Sequence, residues 1–121
     1  GANYNYSTNA SGSSAMLLFD SVVSRQNGMN NNASVTVRFK NVSTFSLTKF
    51  KVIVTASGSS YIRSGSSLAG PYGEVEKISN SVVQALVTTS GGISPNGTVD
   101  ITILMDDLTG SDNLNFTTEV L

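Results

Sequence analysis

Two stretches, residues 33 to 56 and 98 to 105, leave this chain little choice of backbone. Val35, Val37 and Phe39 alternate with Thr36, Arg38 and Lys40, and Phe50, Val52 and Val54 alternate with Lys49, Lys51 and Ile53. Further on, Val99, Ile101, Ile103 and Met105 alternate with Thr98, Asp100, Thr102 and Leu104. A period of two sends successive side chains to opposite sides of an extended strand, so each run acquires an apolar face and an outward one. A helix would need apolar residues at i, i+3 and i+4 over several turns, and the β-branched residues that dominate here lose rotamer freedom in one. Residues 74 to 89 are the most ambiguous, because Val75, Ile78, Val82 and Leu86 also fit a helical spacing. Residues 81 to 89 are read as strand.

The rest of the chain falls in around these runs. AMLLFDSVV, residues 15 to 23, starts the first strand, and LNFTTEVL at 114 to 121 forms the last. GSSYIRSGSSLAGPYG, residues 58 to 73, reads as an excursion with one short strand near Tyr61, and Gly91-Gly92 with Pro95-Asn96-Gly97 marks a turn. The two alternating runs within residues 33 to 58 are joined by NVST either as a hairpin or as a crossing between two sheets. Residues 1 to 13 are a low-complexity mix of Asn, Ser, Tyr and Gly and read as a flexible tether. The fold expected is all-β: residues 14 to 121 form a single immunoglobulin-like β-sandwich of six to seven mostly antiparallel strands. At 121 residues the chain suits one domain that buries about two thirds of its unfolded surface. It has no Cys and no Trp, so the antibody-domain core of disulfide and tryptophan is missing.

Composition narrows function by exclusion. With no His and no Cys, the Ser-His-Asp triad, the Cys-His pair and the ordinary zinc sites are out of reach. The carboxylates close in sequence, Asp106 with Asp107 and Glu74 with Glu76, are the candidates for glycosidase-type chemistry. Adjacent strand residues point to opposite faces, so Asp106 and Asp107 are not expected to converge. The turn from Asp106 to Asp112 resembles a calcium loop, but its Asp, Asn, Gly and Ser are also what an ordinary turn requires. No catalytic, cofactor-binding or metal site is assigned, and the chain is expected not to be an enzyme. Seven basic and eight acidic residues give a net charge of -1, and only Asp106-Asp107 set like charges side by side, so no field exists to gather nucleic acid. No apolar run approaches the roughly 18 residues that span a bilayer, and the chain as it stands is expected to be soluble. Gly1-Ala2 reads as a cloning or protease scar, so contact with a membrane is expected only through an N-terminal helix missing from this sequence.

The surface chemistry points outside the cell. There are 20 Ser, 12 Thr and 12 Asn while charged residues make up 12% of the chain, the reverse of a surface carried by Lys and Glu. Six N-x-S/T sequons start at Asn5, Asn9, Asn32, Asn41, Asn96 and Asn115, against about three expected by chance in a chain so rich in Ser and Thr. All but Asn115 fall in expected tether or turns, where a glycan is tolerated, and Asn115 must face outward from a strand. Ile53 stands on the expected outward face beside Lys49 and Lys51, with Arg38 on the neighbouring run. An apolar side chain among charges marks these four as the candidate interface.

In style, SVTVRFKNVSTFSLTKFKVIV and ISPNGTVDITILM resemble the β domains of archaeal cell-surface filament proteins, over residues 14 to 121. The nearest likeness is to the ectodomains of archaellum accessory (stator) proteins of the F and G type, followed by the globular parts of archaeal pilins. The resemblance implies a non-enzymatic glycoprotein domain of the archaeal pseudo-periplasm that serves motility. It would bind the S-layer or another cell-envelope protein, form homo- or hetero-oligomers, and hang from an N-terminal hydrophobic helix. The alternative is a pilin, filament subunit or adhesin in which the same sandwich polymerises. A carbohydrate-binding module is a third class, but Tyr4, Tyr6, Tyr61 and Tyr72 are read in loops or tether and form no aromatic platform.

Overall fold

The computed structural model describes residues 9–13, 16–27, 33–56, 61–62, 68–69, 72–79, 81–106 and 113–121. Within them run ten strands: β1 (Asn9–Ser13), β2 (Leu17–Asn27), β3 (Ala33–Asn41), β4 (Leu47–Ala56), β5 (Tyr61–Ile62), β6 (Leu68–Ala69), β7 (Tyr72–Ser79), β8 (Val82–Ile93), β9 (Thr98–Asp106) and β10 (Asn113–Val120). Sheet A has the order β1-β10-β4-β8-β7, and sheet B the order β2-β3-β9-β5 with β6 also on β9. The two sheets stack as a β-sandwich. All pairings are antiparallel except β1 on β10, which is parallel. Between residues 14 and 121, the strands of eight or more residues are the seven β2, β3, β4, β7, β8, β9 and β10.

Alternation carries over directly into burial. Val35, Val37 and Phe39 from β3, Phe50, Val52 and Val54 from β4, Val83, Ala85 and Val87 from β8, and Ile101, Ile103 and Met105 from β9 are all buried. Three phenylalanines clamp the layers. Phe116 of β10 in sheet A stacks on Phe19 of β2 in sheet B, with centroids 5.4 Å apart, and meets Phe39 edge-on at 5.7 Å. Such ring pairs add about 0.5–1.5 kcal/mol each beyond the area they bury. Beside them the buried Thr118 hydroxyl donates to the Leu17 carbonyl at 2.6 Å, a second tie between the layers.

The β3–β4 link is a crossing rather than a hairpin, and Asn41 makes it possible. Its side chain is fully buried, and Nδ2 donates to the carbonyls of Phe45 at 2.9 Å and Ile93 at 2.8 Å. Oδ1 accepts from the Ser43 backbone N–H at 2.9 Å and the Ser43 hydroxyl at 2.6 Å. The Asn41 N–H donates to the Gly97 carbonyl and its own carbonyl accepts from Asn96 N–H. Every donor and acceptor of this residue is used, which is what a buried amide requires.

Two expectations change here. Gly91 and Gly92 lie inside β8 rather than in a turn. Leu47 pairs with Ile93 and Lys49 with Thr88, so β8 inserts a bulge opposite Thr48, and both glycines adopt positive φ of 78° and 81°. A Cβ at Gly92 would press on Thr48 Cγ2 at 3.2 Å. The turn itself is Ser94 to Gly97, closed by Gly97 N–H to the Ser94 carbonyl at 2.8 Å, with Pro95 in second place and Asn96 at φ 65°, as a type II turn demands. Secondly, residues 9 to 13 of the expected tether are a strand, β1, on the edge of sheet A. Residues 1 to 8 lie outside the described residues. Residues 72 to 79 and 82 to 93 are both strand, so the helical spacing across them is coincidental.

Candidate functional site

Backbone register places the four expected interface residues on opposite sides of the molecule. Lys49, Lys51 and Ile53 share the outer face of β4 in sheet A, where Phe50, Val52 and Val54 fill the core beneath them. Arg38 belongs to β3 and faces out from sheet B. The grouping of Arg38 with the other three is therefore corrected: the NVST link crosses between layers, so the two runs do not share a face.

On sheet A, Ile53 stands between Thr117 of β10 and Gln84 of β8, and Lys51 between Glu119 and Leu86. Val82, Gln84 and Leu86 face outward in alternation with buried Val83, Ala85 and Val87. Gln84 Nε2 donates to Glu76 Oε2 at 2.9 Å. Lys49, Lys51, Glu76, Gln84 and Leu86 line a shallow cleft of about 190 Å³. Ile53, Leu86 and Val82 are half-buried, flanked by the lysine stems, whose methylenes extend the apolar surface while the ammonium groups stay in water. Neither Lys49 nor Lys51 has an ion-pair partner among the described residues. Strand alternation pointed to Lys49, Lys51 and Ile53. Leu86, Gln84 and Glu76 were missed because only the pairing of β4 with β8 and β8 with β7 brings them alongside.

Sheet B presents a closed polar ladder instead. Arg38 Nε donates to Asp100 Oδ1 at 2.8 Å and Nη2 to Oδ2 at 3.0 Å, directly across the β3–β9 pair. One rung along, the hydroxyls of Thr36 and Thr102 lie 2.9 Å apart. The hydrogen bonds from Arg38, helped by its charge, hold the Asp100 carboxyl below its ordinary range against the opposing effect of burial, and the same bonds raise Arg38.

The sequons divide by position. Asn96 is exposed at its turn, and Asn115 is exposed on β10, facing outward as its strand position required. Asn41 is corrected: its Nδ2 is sealed in the sandwich and already donates twice, so no glycan fits there in the folded chain. The missed signal was an Asn two residues before Ser at a strand end, the pattern of an Asx turn. Asn9 lies on β1, opposite Asn113. Asn5 and Asn32 fall outside the described residues, as does the turn from 107 to 112 with its calcium-like pattern. Tyr61 and Tyr72 belong to β5 and β7 rather than to loops. Among the described residues no three acidic groups cluster as metal ligands would. No protein-family model and no curated protein matches this chain.

Proposed function

We propose that this chain is a non-enzymatic structural domain of a cell surface, akin to the ectodomain of an archaellum stator protein. It grips an S-layer or other cell-envelope protein through the outer face of sheet A. The observation that carries this reading is the half-buried apolar strip of Ile53, Leu86 and Val82 on the outer face of sheet A, set beside two lysines without ion partners among the described residues. A partner presenting apolar side chains ringed by carboxylates complements it, with the charges setting orientation and encounter rate and the strip supplying desolvated contact. Exposed sequons at Asn96 and Asn115 support an extracellular address.

The test is Ile53→Lys, with Arg38→Ala on sheet B as the control, measured as co-sedimentation with isolated cell-envelope sheets. Ile53→Lys keeps its far-ultraviolet spectrum and its melting temperature but loses about tenfold or more in binding, the scale of one buried apolar anchor. Arg38→Ala binds as the parent does. Equal loss in both variants, or none in either, removes the sheet-A reading. Light scattering that grows without limit as the protein is concentrated favours the filament-subunit alternative, since a stator closes as a small oligomer.

A further inference from the structure

The N-terminal strand lies at the edge of sheet A. Among the described residues β1 pairs only with β10, over five residues and in parallel, the weaker of the two ladder types. Its sequence, NASGS, offers no apolar group larger than the Ala10 methyl, so main-chain hydrogen bonds must supply most of its hold. Three residues, 14 to 16, separate its end in sheet A from the start of β2 in sheet B. Short connections of this kind favour exchange, because the same strand can occupy the same slot in another copy and lose no contact.

The pole where that connection lies is also where apolar side chains collect. Val42 N–H donates to the Met16 carbonyl at 2.8 Å, fixing the end of the connection against the β3–β4 crossing. On that crossing Val42 is 44% and Phe45 54% exposed, and Leu18, opposite Lys40 at the foot of β2, is 37% exposed. Asn41 holds the crossing in place through the Phe45 carbonyl, and Ser43 is tied to Asn41 Oδ1, so Phe45 is presented on a braced loop.

We propose that two copies of this chain exchange β1 and meet at their Asn41 poles. Ser13 and Leu17 are four Cα steps apart, which limits them to about 14 Å. Ser13 in a partner's slot sits beside that partner's Thr117, while Leu17 remains beside its own Asn41. A strand delivered across so short a connection therefore brings the two poles together, and Leu18, Val42 and Phe45 of each copy are covered by the other. Reciprocal exchange closes the pair as a dimer. This surface is distinct from the Ile53 strip, so the two proposals stand or fall separately.

The chain has no cysteine, which makes the test clean. Ser11 and Asn115 are registered partners across β1 and β10, within the Cα separation a disulfide accepts. One chain carries Ser11→Cys and a second, distinguishable in mass, carries Asn115→Cys; they are mixed, incubated at high concentration and oxidised. Exchange yields covalent heterodimer in about tenfold excess over the homodimers each chain forms alone, the excess reflecting a preformed slot rather than random collision. In the chain carrying both substitutions, interchain product rises with concentration, and four residues inserted after Ala15 return it to the intrachain bond. Phe45→Ser lowers the interchain product and raises the intrachain one by the same share. Heterodimer no more abundant than homodimer, or a doubly substituted chain that only ever closes on itself, overturns the proposal.

Discussion

The outer faces of the two sheets are written in the same alternating code, yet the centre of one is tied by its own cross-strand pairs more closely than the centre of the other. On sheet B the two central outward residues of β3 meet chemical complements on β9, Arg38 facing Asp100 and Thr36 facing Thr102, while Ser34 faces Leu104 and Lys40 faces Thr98. On sheet A the outward residues of β4 are less evenly matched: Ile53 lies between an amide and a hydroxyl, and Lys51, with Glu119 on one side and Leu86 on the other, makes no ion pair among the described residues. Cross-strand complementarity contributes a few tenths to about 1 kcal/mol per pair, so sheet A forgoes stabilisation that sheet B collects. A face left in that condition is where contact with another molecule has most to gain.

The largest expected effect tests whether the faces belong to one rigid frame. Asn41→Ala leaves the Phe45 and Ile93 carbonyls without their donor at the only described crossing from β3 to β4, and should destabilise by about 2–4 kcal/mol. Thermal unfolding should move down by roughly 10 °C for a domain of this size. A shift of a degree or two would mean that the crossing is held by something other than Asn41, and the rigid presentation of Phe45 would go with it.

The next pair sharpens the contrast between faces. Thr36→Val removes one hydroxyl of the Thr36–Thr102 contact and should cost about 0.5–1 kcal/mol in stability while leaving envelope binding intact. Ile53→Thr, in the corresponding place on sheet A, should change stability by less than that and weaken binding instead. Chemical denaturation and co-sedimentation on both variants read the two effects independently. If Ile53→Thr lost stability and Thr36→Val lost binding, the assignment of roles to the faces would be reversed.

The layers and the core were legible because alternation is local: each strand declares its buried face without knowing its neighbours. What faces what is not local. Arg38 and Asp100 are 62 positions apart, so the ion pair that neutralises a candidate interface residue had no trace in the β3 run alone. NVST permits hairpin and crossing alike, and the choice is made by Asn41 reaching Ile93, 52 positions away. β1 escaped notice for a different reason. A strand held by its backbone needs no apolar pattern, and NASGS has the composition of a tether. The Gly91-Gly92 bulge looked like a turn because both structures ask for positive φ. Of the candidate face, the β4 residues were readable and their β8 and β7 neighbours were not.

Titration gives the smallest effect and the finest check on the satisfied face. Asp100 is held below its ordinary range in the folded chain, chiefly by the Arg38 hydrogen bonds, so ionised Asp100 favours folding. A depressed folded-state value means that this stabilisation is present above the unfolded value, near pH 4, and is lost as pH falls through the lower folded one. Asp100→Asn removes it at neutral pH and changes nothing once the parent carboxyl is protonated. The melting temperatures of parent and variant should therefore differ slightly at pH 7 and converge as pH falls through the lowered folded-state value. Because both groups are largely exposed, salt should shrink the difference at pH 7 as well. A gap that persists unchanged in strong acid would assign the loss to packing around Asp100 rather than to its charge. Sheet B would then owe its quiet surface to shape, and the unpaired lysines of sheet A would lose their meaning as the contrast.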